Sequence, residues 1–204
     1  MVIETGTSSE KEAEQEHVKT YEIEKRSRIY DEQKFLDLKG RLNKKLKFIG
    51  EKTLTTFLFR KPSFIRIRLT EGDNTFIITE KTGDYADKAR EEKNIELPLN
   101  EIGEYISKLK TAGYDECTKL KTQRFAYQYN DDIKIELNII DYLGMMVEVE
   151  AVTENEERVD ELEGKVREIF KELNLEILDA ETYQKMMDET YLKATKAVAE
   201  QEFK

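Results

Sequence analysis

The sequence predicts an α+β protein, a closed eight-stranded antiparallel β-barrel with amphipathic helices packed outside. Three observations lead there. Strand-like runs occur eight times, and several alternate an apolar with a charged residue. Stretches with apolar residues at helical spacing fall between and after them. The elements also come in the order β-α-β-β-β twice over, a repeat of order without residue-level identity.

Residues 1–18 are polar, acidic and aperiodic and read as a flexible tail; 19–204 read as one domain that includes the C-terminal helices. TYEIEKRSRI sets Tyr21, Ile23 and Ile29 opposite Glu22, Glu24, Arg26 and Arg28. A helix over 31–47 follows, with Phe35, Leu38, Leu42 and Leu46 on one stripe. The runs KTLTTFLFR, FIRIRLT and TFIITEKT are separated by Lys61-Pro62-Ser63 and Gly72-Asp73-Asn74, both turn-forming. The second round opens with KAREEKNIEL and a helix starting near Pro98, with Leu99, Ile102, Ile106 and Leu109 aligned. Strands over 116–129, 132–140 and 143–152 complete it. Val159, Leu162, Val166, Ile169, Phe170 and Leu173 mark a helix, and another begins at about Ala180 with Tyr183, Met187, Tyr191, Ala194 and Val198 as packing positions.

Composition narrows the function. The chain has 204 residues, 34 basic and 44 acidic, for a net charge of −10, so a bulk basic footprint for duplex nucleic acid is absent. No apolar run approaches the ~20 residues of a membrane span, and the first residues lack the apolar core of a signal peptide. A single cysteine, Cys117, and a single histidine, His17, exclude a disulfide framework and a Cys/His zinc site. A cytoplasmic monomer or homodimer is the expectation.

The charged strand faces carry the functional signal. Arg66 and Arg68 share one face, Thr79 and Lys81 another, Lys134, Glu136 and Asn138 a third, and Glu148 and Glu150 a fourth. Helices need the apolar strand faces as partners, so closing eight strands turns the charged faces into a lumen. Arg and Lys there suit phosphate oxygens. Clustered carboxylates beside them imply a divalent cation, and oxygen-only ligands point to Mg²⁺ or Mn²⁺.

At these residues the chain resembles the CYTH domain, or triphosphate tunnel metalloenzyme, family, which includes class IV adenylyl cyclases and thiamine triphosphatases. YEIEKR is similar to its Glu-x-Glu-x-Lys opening, FIRIR to its Arg-x-Arg strand and ITEKTG to its Thr-x-Lys strand. AREEKN, TQRFAY and LNIIDYLGMMVEVE resemble later strands in the same order, and AETYQKMM its closing helix. The resemblance implies Glu22, Glu24, Glu148 and Glu150 as metal ligands. It implies Arg66, Arg68, Lys81, Arg90, Arg124 and Lys134 as substrate-binding residues and Glu92, Glu136 and Asn138 as tunnel-lining ones. Catalytic roles fall to Lys81 and to Arg26, which stands at the signature lysine position with Lys25 beside it. Asn138 replaces a common Asp, and Asn94 a common acid. The expected activity is metal-dependent hydrolysis of an inorganic or organic triphosphate, the partner being a small molecule carrying that group. The alternatives are a class IV adenylyl cyclase, towards which His17 in EHVKTYEIE points, and a non-catalytic triphosphate- or polyphosphate-binding module.

Overall fold

The computed structural model describes residues 20–60, 64–82, 89–114 and 117–202. In chain order these form β1 (Tyr21–Ile29), α1 (Glu32–Lys45), β2 (Lys47–Phe59), β3 (Ile65–Thr70), β4 (Thr75–Thr82) and β5 (Arg90–Pro98). Then come α2 (Ile102–Thr111), β6 (Cys117–Gln128), β7 (Ile133–Ile140), β8 (Gly144–Thr153), α3 (Val159–Leu173) and α4 (Ala180–Glu202). The β-α-β-β-β order thus occurs twice before the two C-terminal helices.

All described strand pairs are antiparallel, in the order β5-β4-β3-β2-β6-β7-β8-β1. The two rounds interlock, because the first strand of each bonds to the last strand of the other, β1 to β8 and β5 to β4. Strand twist curls this sheet strongly. β1 pairs with β8 from Tyr21↔Thr153 to Ile29↔Met145, and it meets β5 at Tyr21↔Glu91 and Glu22↔Arg90. The result is a curled eight-stranded sheet with a seam two residue pairs wide.

Alternation places the apolar side chains outside. Asp31 caps α1 by accepting from the Lys34 amide at 3.0 Å, which aims Phe35, Leu38 and Leu42 at the sheet. These residues and Leu162, Val166, Ile169 and Phe170 of α3 bury Ile23, Ile135, Val147 and Val149. Each such side chain contributes about 1.5–3 kcal/mol when fully buried. Helix α2 covers Phe59, Ile67, Phe76 and Ile78 through Leu109.

Helix α4 departs from the expectation that the helices pack outside. Met186, Met187, Tyr191 and Ala194 cluster with Leu58, Leu120, Leu143 and Met146. Leu58 and Leu120 point to the concave side at one end of the curl, so that end is apolar and requires a cover. The linker before α4 is tied to β1 by the Leu178 amide donating to the Arg26 carbonyl at 2.8 Å, and Asp179 caps the helix by accepting from the Thr182 amide at 2.8 Å. Arg60 secures the helix through an ion pair with Asp188 and by lying 4.1 Å over the Tyr191 ring.

Helix α1 ends at Lys45, before the expected boundary, because β2 begins at Lys47 and pairs with β6 from Lys47 to Phe59 with a register shift between Phe48 and Gly50. Only its later part, from Leu54, also pairs with β3.

Candidate active site

The concave face encloses a cavity of about 350 Å³. Because side chains alternate along each strand, Glu22, Glu24 and Arg26 of β1 and Glu148 and Glu150 of β8 turn the same way, and register brings them together: Glu24↔Glu150 and Arg26↔Glu148. Arg66 and Arg68 enter from β3, Arg124 from β6 and Glu136 from β7. The cavity continues to an apolar end walled by Phe64, Tyr183, Met187 and Tyr191.

One wall satisfies its own charges. Arg124 donates from Nε to the Asn138 Oδ1 at 2.9 Å, sits 2.7 Å from Glu136 and 3.3 Å from Glu148. Arg26 pairs with Glu24 and donates from Nε to Glu148 Oε1 at 3.0 Å, with its guanidinium 4.5 Å over the Tyr183 ring. The Asn138 amide donates to Glu148 Oε2 at 2.9 Å. Burial disfavours the charge on both arginines, but their acidic neighbours outweigh it and raise both above the ordinary guanidinium value. Burial also pushes the Glu136 carboxyl up to about 7; Arg124 opposes the shift, and Glu148 and Glu150 reinforce it.

The facing wall is different. Arg66 donates to the Thr79 hydroxyl at 3.2 Å, and that hydroxyl donates to Asn94 Oδ1 at 2.8 Å. Arg68 has a buried Nε with no hydrogen-bond partner among the described residues. Burial, with Arg66 and Arg124 nearby, lowers this guanidinium to about 10. A buried cation in that state favours an anion.

Of the residues singled out from the sequence, Glu22, Glu24, Arg26, Arg66, Arg68, Arg124, Glu136, Glu148 and Glu150 line the cavity together. Lys134 shares their strand parity but is exposed and does not line it, because β7 carries it out to the rim. Asn138 is 0% exposed, hydrogen-bonded behind Arg124 and Glu148, and so does not line the cavity either. Lys81, Arg90 and Glu92 lie on β4 and β5, but their side chains, like His17, fall outside the described residues. Lys25 faces outwards to Glu163 of α3 at 3.5 Å, so the inward position belongs to Arg26. Tyr183, expected from the sequence only to pack, also lies against the Arg26 guanidinium, and the AETYQKMM motif is the signal that points to it. Among the described residues no set of three or more His, Cys, Asp or Glu side chains converges on one point. Glu24, Glu136 and Glu148 are turned towards guanidinium groups instead.

No helix among the described residues is long and apolar enough to cross a membrane. No curated protein matches the chain by sequence. Among solved structures, the PH1819 protein from Pyrococcus horikoshii OT3 is similar at 22% identity and a TM-score of 0.69, over 83% of this chain and 99% of that one. HpAC1 from Hippeastrum, a candidate adenylyl cyclase with a dominant triphosphatase activity, is similar at 16% identity and a TM-score of 0.55, over 78% and 89%. A candidate adenylate cyclase from Vibrio parahaemolyticus is similar at 17% identity and a TM-score of 0.58, over 82% and 98%. At these identities the likeness speaks to the fold. The CYTH domain model matches residues 20–183, which takes in every described strand and the start of α4, and the chain belongs to that family.

Proposed function

We propose that the chain binds a triphosphate-bearing small molecule in this cavity, together with Mg²⁺ or Mn²⁺, and hydrolyses it. The observation that carries the reading is Arg68, a buried guanidinium with an unpartnered Nε, beside Arg66 and facing a carboxylate-rich wall. An anion of high charge is the ligand that such an arrangement stabilises. In this reading Arg66, Arg68 and Arg124 grip the phosphate chain, Arg90 and Lys134 add charge around it, and Glu92 lines the same space. The seam between β1 and β5 closes fully, so that the curl becomes a tunnel. Residues 19–204 act as one domain behind the acidic tail, in the cytoplasm.

The donor chemistry fits a hard divalent cation. Glu22, Glu24, Glu148 and Glu150 would hold it, since all four line the cavity and offer oxygen, with Glu24 and Glu148 turning from the guanidinium groups they face here. Bound there, the cation would neutralise charge on phosphoryl oxygens. The chain's own residues do the rest. The arginines fix the phosphate chain and stabilise charge developing on the transferred group. Lys81 and Arg26 act on the nucleophile and the departing oxygens. Water attacks the terminal phosphorus, the bond to the bridging oxygen breaks, and that oxygen leaves with the remaining diphosphate.

The apolar end of the cavity favours a second reading. Phe64, Tyr183, Met187 and Tyr191 could receive an organic group, as a class IV adenylyl cyclase acting on ATP would require. A product assay separates the possibilities, using inorganic triphosphate and ATP with Mg²⁺ or Mn²⁺. Phosphate release is the expected result. Cyclic AMP with diphosphate would establish the cyclase, and binding without products would establish a non-catalytic module. Absence of binding would sink the proposal.

A further inference from the structure

We infer that Asn138 is a positioning residue that fixes Arg124 and Glu148 relative to one another, and so links the anion-binding and cation-binding parts of the cavity; this rests on the function proposed above. Asn138 is 0% exposed and does not line the cavity, so it acts through the groups it touches. Its carbonyl oxygen accepts from Arg124 Nε at 2.9 Å, and its amide nitrogen donates to Glu148 Oε2 at 2.9 Å. Only this orientation is chemically consistent, because a guanidinium offers donors alone and a carboxylate acceptors alone.

Neutrality is what the position requires. The terminal nitrogens of Arg124 are engaged by Glu136 and Glu148. A bound phosphate chain would take over those nitrogens, whereas the Asn138 oxygen can keep Nε anchored and the guanidinium plane oriented. Glu148, released from Arg124, would remain held by the Asn138 amide with lone pairs turned to the cavity. An aspartate could still accept from Arg124 Nε, but it would discharge that cation. It would also set a second carboxylate against Glu148 with no donor between them. A leucine would fill similar volume and anchor neither group.

Two variants test this in the full chain, with two probes: inorganic triphosphate in the presence of EDTA, by calorimetry, and Mn²⁺ alone, by electron paramagnetic resonance. Asn138→Asp should bind triphosphate about tenfold more weakly, and Mn²⁺ no more tightly than the parent despite its added charge, because it loses the donor that holds Glu148. Asn138→Leu adds no charge and anchors neither group, so it should weaken both triphosphate and Mn²⁺ about tenfold. Added charge alone would tighten Mn²⁺ in the aspartate variant, and a residue that only packs would leave both affinities unchanged on replacement by leucine. The assignment is overturned if Asn138→Asp tightens Mn²⁺, or if Asn138→Leu binds either probe as the parent does. Thermal unfolding checks both variants; should the leucine variant not fold, the near-isosteric aspartate variant decides alone. If the parent protein binds neither probe, the functional reading fails instead.

Discussion

Strands β3 and β4 of the first round and β7 and β8 of the second hold corresponding places in the β-α-β-β-β order, yet their inward faces carry opposite charge. The first pair presents Arg66 and Arg68, the second Glu136, Glu148 and Glu150. Their states differ as much as their signs. Glu136 and Glu148 are each held by Arg124, and Glu148 also by Arg26 and Asn138. On the other wall the Arg68 Nε has no partner among the described residues, and the guanidinium is depressed to about 10. One wall is therefore organised internally, while the other keeps a buried donor open for the anion proposed above. A repeated scaffold divides the work because alternation fixes only which way a side chain points, and its charge is free to vary.

The largest effect should come from the wall that is already satisfied. Arg124→Met removes the cation shared by Glu136 and Glu148, and breaking a buried pair in this way costs about 3–5 kcal/mol. Arg68→Met removes a cation that repels Arg66 and Arg124, so urea unfolding should show stability unchanged or raised. Equal losses in the two variants would erase the distinction between the walls.

Affinity is where Arg68→Met should show its loss. Arg68→Met loses a charge-assisted contact worth about 1.5–3 kcal/mol, or a ten- to hundredfold rise in the apparent dissociation constant for inorganic triphosphate. Calorimetry reads this directly. A triphosphate affinity within twofold of the parent would place the anion elsewhere.

A further effect concerns pH. The Glu136 carboxyl stands at about 7 in the folded protein against an ordinary value of 4.5, owing first to burial. The folded state therefore holds this proton more tightly than the unfolded chain does. Its stabilising contribution is complete below about 4.5 and is lost as pH rises through about 7. Relative to Glu136→Gln, the parent should lose stability between those values in urea titrations. A parent that gains stability over that window would contradict the assignment.

Much of this was legible in the residues themselves. The alternation in FIRIRLT, IKIELN and MVEVEA put Arg66, Arg68, Glu136, Glu148 and Glu150 on inward faces. TFIITEKT coincides with β4, and the turn at Gly72 carries a φ of 89°, a conformation that glycine adopts readily. Hydrophobic stripes located the four α-helices among the described residues. Lys134 shares that parity but sits at the rim, because parity says which face a residue is on and not how far along the strand it lies. Helix α4 misled because an amphipathic stripe does not name its partner, and the partner here is the apolar end of the concave face.

The sequence by itself determined the elements, their order, and which charges share a face, since these follow from periods of two and 3.6 residues within one segment. Only the tertiary structure decided that β1 lies between β8 and β5, that Arg26 meets Glu148, and that Asn138 stands between Arg124 and Glu148. Those contacts join residues from separate strands, and 122 positions separate Arg26 from Glu148. Cross-strand register sets them, and register is an outcome of the whole sheet's packing that no local stretch encodes.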